Sequence, residues 1–276
     1  MIRRALNQEL DFYSLIFQKA VWNIYYANNT FIKVLNEKSF EEYGFIYKEI
    51  INVLKNSEFS KRIPKIVKIW QDETRLMAYA ITKMKGIHLH EAIQISEDPL
   101  KTYANFLYSI YPTMQKGEEH NIVFKDLITK GNILYDPLTK TASIIDIDGF
   151  QIGLLNDRNI NNRIFYCSKK HDLFENKKYQ KIPKIWTKEM NIFSLYELFL
   201  NTIFNQSLLQ WKDEIDLEKG VRRKLNEINL SESSKIYQNI LKLINTDVPN
   251  NIDPDDFLIL SQKYTLNKEQ KRLILI

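Results

Sequence analysis

The chain has 276 residues, of which 44% are hydrophobic, 26% charged and 12% aromatic, a globular balance that excludes a disordered or fibrous protein and leaves room for about two domains. A single cysteine, Cys167, excludes an internal disulfide and a four-cysteine metal site and fits a reducing cytoplasm. Lys and Arg total 39 against 34 Asp and Glu, a net charge of +5 that reads as solvated surface rather than a nucleic-acid footprint.

Arg3 and Arg4 precede no apolar stretch of the signal-peptide kind, and no window approaches the roughly 18 uninterrupted apolar residues of a membrane span. A soluble, cytoplasmic protein is therefore expected. The first elements are two strands, Val21–Tyr26 and Thr30–Leu35, joined at Asn28-Asn29, because Asn tolerates the left-handed backbone of a tight hairpin turn. Ser39 to Lys55 has apolar residues at Phe40, Tyr43, Ile46, Tyr47, Ile50 and Leu54, the spacing of an amphipathic helix, and Ser39 with Glu42 matches a capping box. Strands are expected at Ile66–Gln71 and Leu76–Met84. After Lys85-Gly86 the pattern turns helical, with long periodic segments at Leu100–Gln115 and Lys188–Asn205 and a β-like stretch between Val123 and Phe150. The basic run Lys169–Lys184 has little periodicity and reads as a surface loop; its lysines are either a solvated charge run or a means of attracting an acidic or phosphorylated substrate.

Two segments carry the chemistry. One is Lys125-Asp126-Leu127-Ile128-Thr129-Lys130-Gly131-Asn132-Ile133-Leu134-Tyr135-Asp136, and the other is Ile144-Ile145-Asp146-Ile147-Asp148-Gly149-Phe150. Alone, Asp126 and Asn132 are equally at home in a turn. Together the segments resemble the protein-kinase-like family, whose catalytic loop reads H-R-D-L-x-x-x-N and whose metal strand ends in D-F-G. The Ile145–Gln151 stretch is also similar to the I-D-x-D-x-F-Q ending of divergent bacterial kinase-like proteins. Lys33 in Phe31-Ile32-Lys33-Val34 resembles the lysine of V-A-I-K, and Glu49, sixteen residues later, resembles its helix partner. Ala80-Ile81-Thr82-Lys83-Met84-Lys85-Gly86 is similar to the strand and hinge between the family's lobes.

The resemblance implies an α+β, two-lobed fold, with residues 1–85 as a small antiparallel sheet lobe bearing one helix and 86–276 as a mostly helical lobe. It implies ATP and Mg2+ as cofactors, and as acceptor a hydroxyl on a protein substrate, Ser or Thr, or on a small molecule. By the same resemblance Glu49 positions Lys33, Lys33 holds phosphates, and Asp126 orients the acceptor hydroxyl, with Lys130 as a displaced candidate for touching the transferred phosphate. Ile81, Thr82 and Met84 line the base site, and Asn132, Asp146 and, secondarily, Asp148 hold metal. Of the two aspartates Asp146 is the principal candidate, as the first polar side chain after the buried Ile144-Ile145, with Ile147 in place of the packing Phe.

The chain also departs from the family. No glycine-rich loop occurs, since the expected position reads Phe17-Gln18-Lys19-Ala20-Val21. H-R-D becomes Phe124-Lys125-Asp126, the loop to Asn132 is one residue longer, the helix aspartate becomes Asn191, and A-P-E is at best Ile182-Pro183-Lys184. These losses keep open a pseudokinase acting as a nucleotide- or protein-binding module. His88 and His90 read as solvated loop histidines.

Overall fold

The computed structural model describes residues 2–18, 21–55, 61–124, 127, 131–147, 150–152, 187–204, 214–227, 230–244, 249 and 251–263. The N-terminal half is a five-stranded antiparallel sheet in the order β1-β2-β3-β5-β4, made of β1 (Ser14–Gln18), β2 (Trp22–Ala27), β3 (Thr30–Leu35), β4 (Ile66–Gln71) and β5 (Leu76–Thr82). The β2–β3 hairpin turns where the sequence predicts: Asn28 and Asn29 have φ of 47° and 61°, so the two-residue turn matches the twist of its strands.

Each face of this sheet is covered by a helix. On one side, α1 (Ile2–Leu10) buries Leu6 with Ile32, Trp70, Ala78 and Ala80. The family resemblance implies one helix in this lobe, and α1 is a second. It forms because Ile2, Leu6 and Leu10 fall at helical spacing and complete the outer apolar face. On the inner face, α2 (Glu37–Leu54) buries Ile46, Tyr47, Ile50, Ile51 and Leu54 in one cluster with Trp22, Ile24, Leu35, Tyr79 and Ile81. Trp22 is the hub, with edge-on contacts to Tyr47 at 4.9 Å and Tyr79 at 5.4 Å. The helix begins two residues before the expected Ser39, because Asn36 is the cap: its side chain accepts the Ser39 amide at 2.8 Å. Ser39 itself is buried in the first turn, so the Ser39–Glu42 capping box does not form.

The C-terminal half is built on α4 (Pro99–Glu119), preceded by the short strand β6 (Ile87–His88) and helix α3 (Leu89–Ile95). Leu100, Tyr103, Phe106, Leu107, Ile110 and Met114 of α4 are wholly buried. Around them pack α5 (Thr187–Ile203) and α8 (Pro254–Lys263), with α6 (Glu214–Glu227) and α7 (Lys235–Ile244) beyond. An aromatic group of Tyr103, Phe106, Phe199 and Phe257, with ring centroids near 5 Å apart, joins α4, α5 and α8, and the Tyr103 hydroxyl donates to the Leu195 carbonyl. Four short strands lie at the edge facing the first half: β7 (Ile122–Val123) pairs with β10 (Gln151–Ile152), and β8 (Ile133–Asp136) pairs with β6 and β9 (Thr141–Ile144). The architecture is the expected α+β arrangement, an antiparallel sheet lobe followed by a mostly helical one. Among the described residues no helix is long and apolar enough to cross a membrane.

Candidate active site

The β8–β9 hairpin creates the site. Its register pairs Ile133 with Ile144 and Tyr135 with Ala142, so Asn132, just before β8, and Ile145-Asp146, just after β9, emerge at the same end. The Ile145 amide donates to the Asn132 carbonyl at 2.9 Å, extending the ladder by one bond. A carboxylate and a carboxamide fourteen residues apart thereby become neighbours. The hairpin is fixed to the helical half through Ser109 of α4, whose hydroxyl accepts the Ala142 amide at 2.8 Å, and the Ile144 amide reaches across to the Arg62 carbonyl at 2.8 Å. Asn132 is buried, and Ile147, in the position of the family's packing Phe, is wholly buried.

Lys33 comes to this point from the sheet. On β3 it pairs with Ile24 on one side and Tyr79 on the other, and directly opposed residues share a face, so the ammonium stands on the inner, apolar side. The whole residue is 7% exposed. Its Nζ makes an ion pair with an Asp146 carboxylate oxygen. Asp146 is partly open, with 24% of its side chain exposed. The structure thus joins two predicted residues that are 113 positions apart.

Glu49 is placed differently. It lies on the exposed side of α2, one residue from the buried Ile50, and the structure does not bring it to Lys33. None of the glutamates on α2, Glu37, Glu41, Glu42 and Glu49, is buried. Ile81 is buried on the same sheet face as Lys33, opposite Phe31. Thr82 closes the strand, its amide donating to the Lys65 carbonyl at 3.0 Å and its hydroxyl accepting the Lys65 amide at 3.1 Å. Met84 follows, half-buried, before Gly86. Gly86 has φ of 124°, and a Cβ there would lie 2.7 Å from the Tyr135 carbonyl oxygen, so only glycine lets the connecting segment approach β8 this closely. Toward this end of the sheet the inner face also carries Tyr26 and Phe31, half-buried, with rings 4.8 Å apart, and the Lys83 ammonium lies 5.6 Å from the Tyr26 ring centre. Asp126, Lys130 and Asp148 lie outside the described residues, as do Cys167, the basic run 169–184 and Ile182-Pro183-Lys184.

Two residues have a larger part than their sequence context suggested. Asn191, where the family resemblance places an aspartate, is 1% exposed on α5. Its Oδ1 accepts the Phe124 amide at 2.8 Å and its Nδ2 donates to the Ile122 carbonyl at 3.2 Å. It therefore grips both ends of the strand leading into the Asp126 loop. Phe124, in place of the family's His, is a core residue packed at a tilt against Phe150, with ring centroids 4.5 Å apart. His88 and His90 are not solvated loop residues: both are half-buried, on β6 and α3, with rings 5.8 Å apart and nearly parallel. Hydrophobic patterning carries no signal for a stacked pair, so residue type alone did not reveal it.

No family model and no curated protein matches the chain by sequence. Its structure is similar to the crystal structure of Rad53, residues 1–466, in complex with AMP-PNP; that protein kinase shares 15% identity over 93% of this chain and 67% of its own, with a TM-score of 0.56. At that identity the likeness carries the fold alone, and the fold is protein-kinase-like.

Proposed function

We propose that the protein is an ATP- and Mg2+-dependent phosphotransferase acting on a hydroxyl of a protein Ser or Thr, with residues 1–85 and 86–276 as its two lobes. The observation that carries this reading is the meeting of Lys33, Asp146 and Asn132 at one end of the β8–β9 hairpin. The donor set suits the metal: one carboxylate and one carboxamide are hard oxygen ligands, and Mg2+ takes one or two protein oxygens and completes its shell with phosphate and water. The rings of Tyr26 and Phe31, one side-chain repeat along the same face from Lys33, supply a surface for a flat base.

Lys33 neutralises phosphate charge and Asn132 and Asp146 hold metal, which when bound offsets the charge that develops on the transferred phosphoryl group. Asp126, whose role rests on the sequence, orients the acceptor hydroxyl and takes its proton as the new oxygen–phosphorus bond forms and the bond to the departing diphosphate breaks. A role for Glu49 as the partner of Lys33 requires α2 to turn by about one residue's 100°, and Lys130 and Asp148 remain assigned by sequence position only. The absent glycine loop favours a second reading, a pseudokinase that binds nucleotide or protein without turnover; the weak A-P-E segment favours a small-molecule acceptor.

Labelled ATP with Mg2+, offered with protein and small-molecule acceptors to wild type and Asp126→Ala, separates these. Transfer that requires Asp126 supports the enzyme, and the acceptor labelled decides its class. Nucleotide binding with no Asp126-dependent transfer to any acceptor would favour the binding module.

A further inference from the structure

An ammonium buried as deeply as Lys33 requires a carboxylate nearby, because an uncompensated charge on an apolar sheet face is strongly unfavourable. α2 covers that face, yet the residues it buries include Ile46, Tyr47, Ile50, Ile51 and Leu54 and no acid. Among the described residues a carboxylate that meets Lys33 comes from the other half of the molecule: Asp146, the same group assigned above to the metal. We propose that Asp146 does both tasks: it is the positioning partner of Lys33, and Lys33 and the divalent ion contend for it until a polyphosphate arrives. The inference rests on the reading of Asp146 as a metal ligand.

The contest follows from charge and geometry. A divalent ion at the Asp146 carboxylate must either displace an ammonium already in contact with it or sit beside that ammonium, and in a partly buried site the like-charge repulsion is poorly screened. Asp146 keeps 24% of its side chain exposed, so Lys33 opposes binding of the ion by charge. A polyphosphate gives the ammonium another anion without moving it from its strand, which releases Asp146 to the metal. Metal and polyphosphate then bind with positive coupling, and Lys33 is the residue that transmits it.

The test uses Mn2+ as probe, with the free ion counted by its paramagnetic resonance, on the full chain without nucleotide. Lys33→Met and Lys33→Gln are expected to bind Mn2+ more tightly than wild type, by about fivefold or more, and Asp146→Asn to lose the site. The Gln variant can still donate to Asp146 and keeps the test available should the Met variant fail to fold. With ATP added, wild-type Mn2+ affinity is expected to rise by a larger factor than that of either Lys33 variant. Nucleotide-free Lys33 variants that bind Mn2+ no more tightly than wild type would overturn the proposal. Mn2+ retained by Asp146→Asn would instead overturn the assignment of Asp146 to metal on which it rests. Tighter Mn2+ binding by the Lys33 variants in a protein that binds no ATP would sustain the shared carboxylate while refuting the nucleotide reading.

Discussion

Asn191→Asp exchanges one amide nitrogen for an oxygen, restores the residue type the kinase resemblance favours, and is nevertheless expected to destabilise the protein. In wild type both ends of the carboxamide are used, Oδ1 by the Phe124 amide and Nδ2 by the Ile122 carbonyl. Aspartate keeps the first bond and loses the second, together with the longer one that Nδ2 donates to Glu118. It also turns an oxygen toward the Ile122 carbonyl and toward Glu118, whose Oε1 is 3.5 Å from the amide nitrogen. The lost Ile122 bond costs about 1 kcal/mol. Burying the carboxylate beside a second acid adds a similar or larger amount, about 2–4 kcal/mol in all, or roughly 3–7 °C in Tm for a chain of this size.

Urea denaturation followed by tryptophan fluorescence measures this directly, and its pH dependence identifies the cause. Burial and Glu118 raise the carboxyl's pKa in the folded variant above its unfolded value. The folded variant therefore holds its proton at pH values where the unfolded chain has released it, and its deficit shrinks as pH falls through the raised value toward about 4. Asn191→Ala, which leaves the buried Phe124 amide without its acceptor, is expected to lose about 2–4 kcal/mol with no such recovery. An Asn191→Asp variant as stable as wild type at neutral pH would refute the assigned bonding and mean that the Ile122 contact contributes nothing.

Three further outcomes follow from the fold. The amides of Thr74 and Arg75 hold the Asp72 carboxyl below the usual carboxylate range, so its stabilisation is present above about pH 4 and is lost as pH falls through the lowered value; the stability difference between wild type and Asp72→Ala should shrink in acid, and a constant difference would refute it. Burial raises the phenols of Tyr103 and Tyr196, so their contribution is complete below about pH 10 and lost as pH rises toward the folded values; absorbance titration should show these two ionising with unfolding, and ionisation at the ordinary phenol value in the folded protein would contradict their burial. Gly86→Ala meets both a left-handed φ and the Tyr135 carbonyl and should cost about 2 kcal/mol or more, read as a lowered urea midpoint; an unchanged midpoint would mean that the connecting segment can move away from β8.

The elements that could be read from the sequence are those set by local chemistry. The β2–β3 hairpin was legible because Asn28 and Asn29 adopt a backbone that few residues accept, and α2 because its apolar positions repeat at helical spacing. Its start lies before the expected Ser39 because that match to a motif belongs to the buried first turn that Asn36 caps. The histidines show the opposite limit: their stacking depends on where β6 turns into α3, which no local pattern of His88 and His90 encodes.

The site divides along the same line. The pairing of Ile133 with Ile144 is a short-range hairpin, so the family spacing of Asn132 and Asp146 was enough to anticipate that they would meet. The partner of Lys33 is a different problem. Sixteen residues separate Lys33 from Glu49, and sequence order favoured that pair, but order does not fix the rotation of a helix about its own axis. That rotation was already present in the periodicity: burying Ile46 and Ile50 in a helix of 3.6 residues per turn puts position 49 about 100° from Ile50 and away from the sheet's centre. Burial of the apolar stripe outweighs a pull from one charge, because five apolar side chains on α2 enter the core while an exposed glutamate keeps its hydration at no cost. With α2 fixed in that rotation, the ammonium on β3 takes the carboxylate that the β8–β9 hairpin delivers from the opposite half, and the ion pair at the centre of the site becomes a contact between the halves rather than within one.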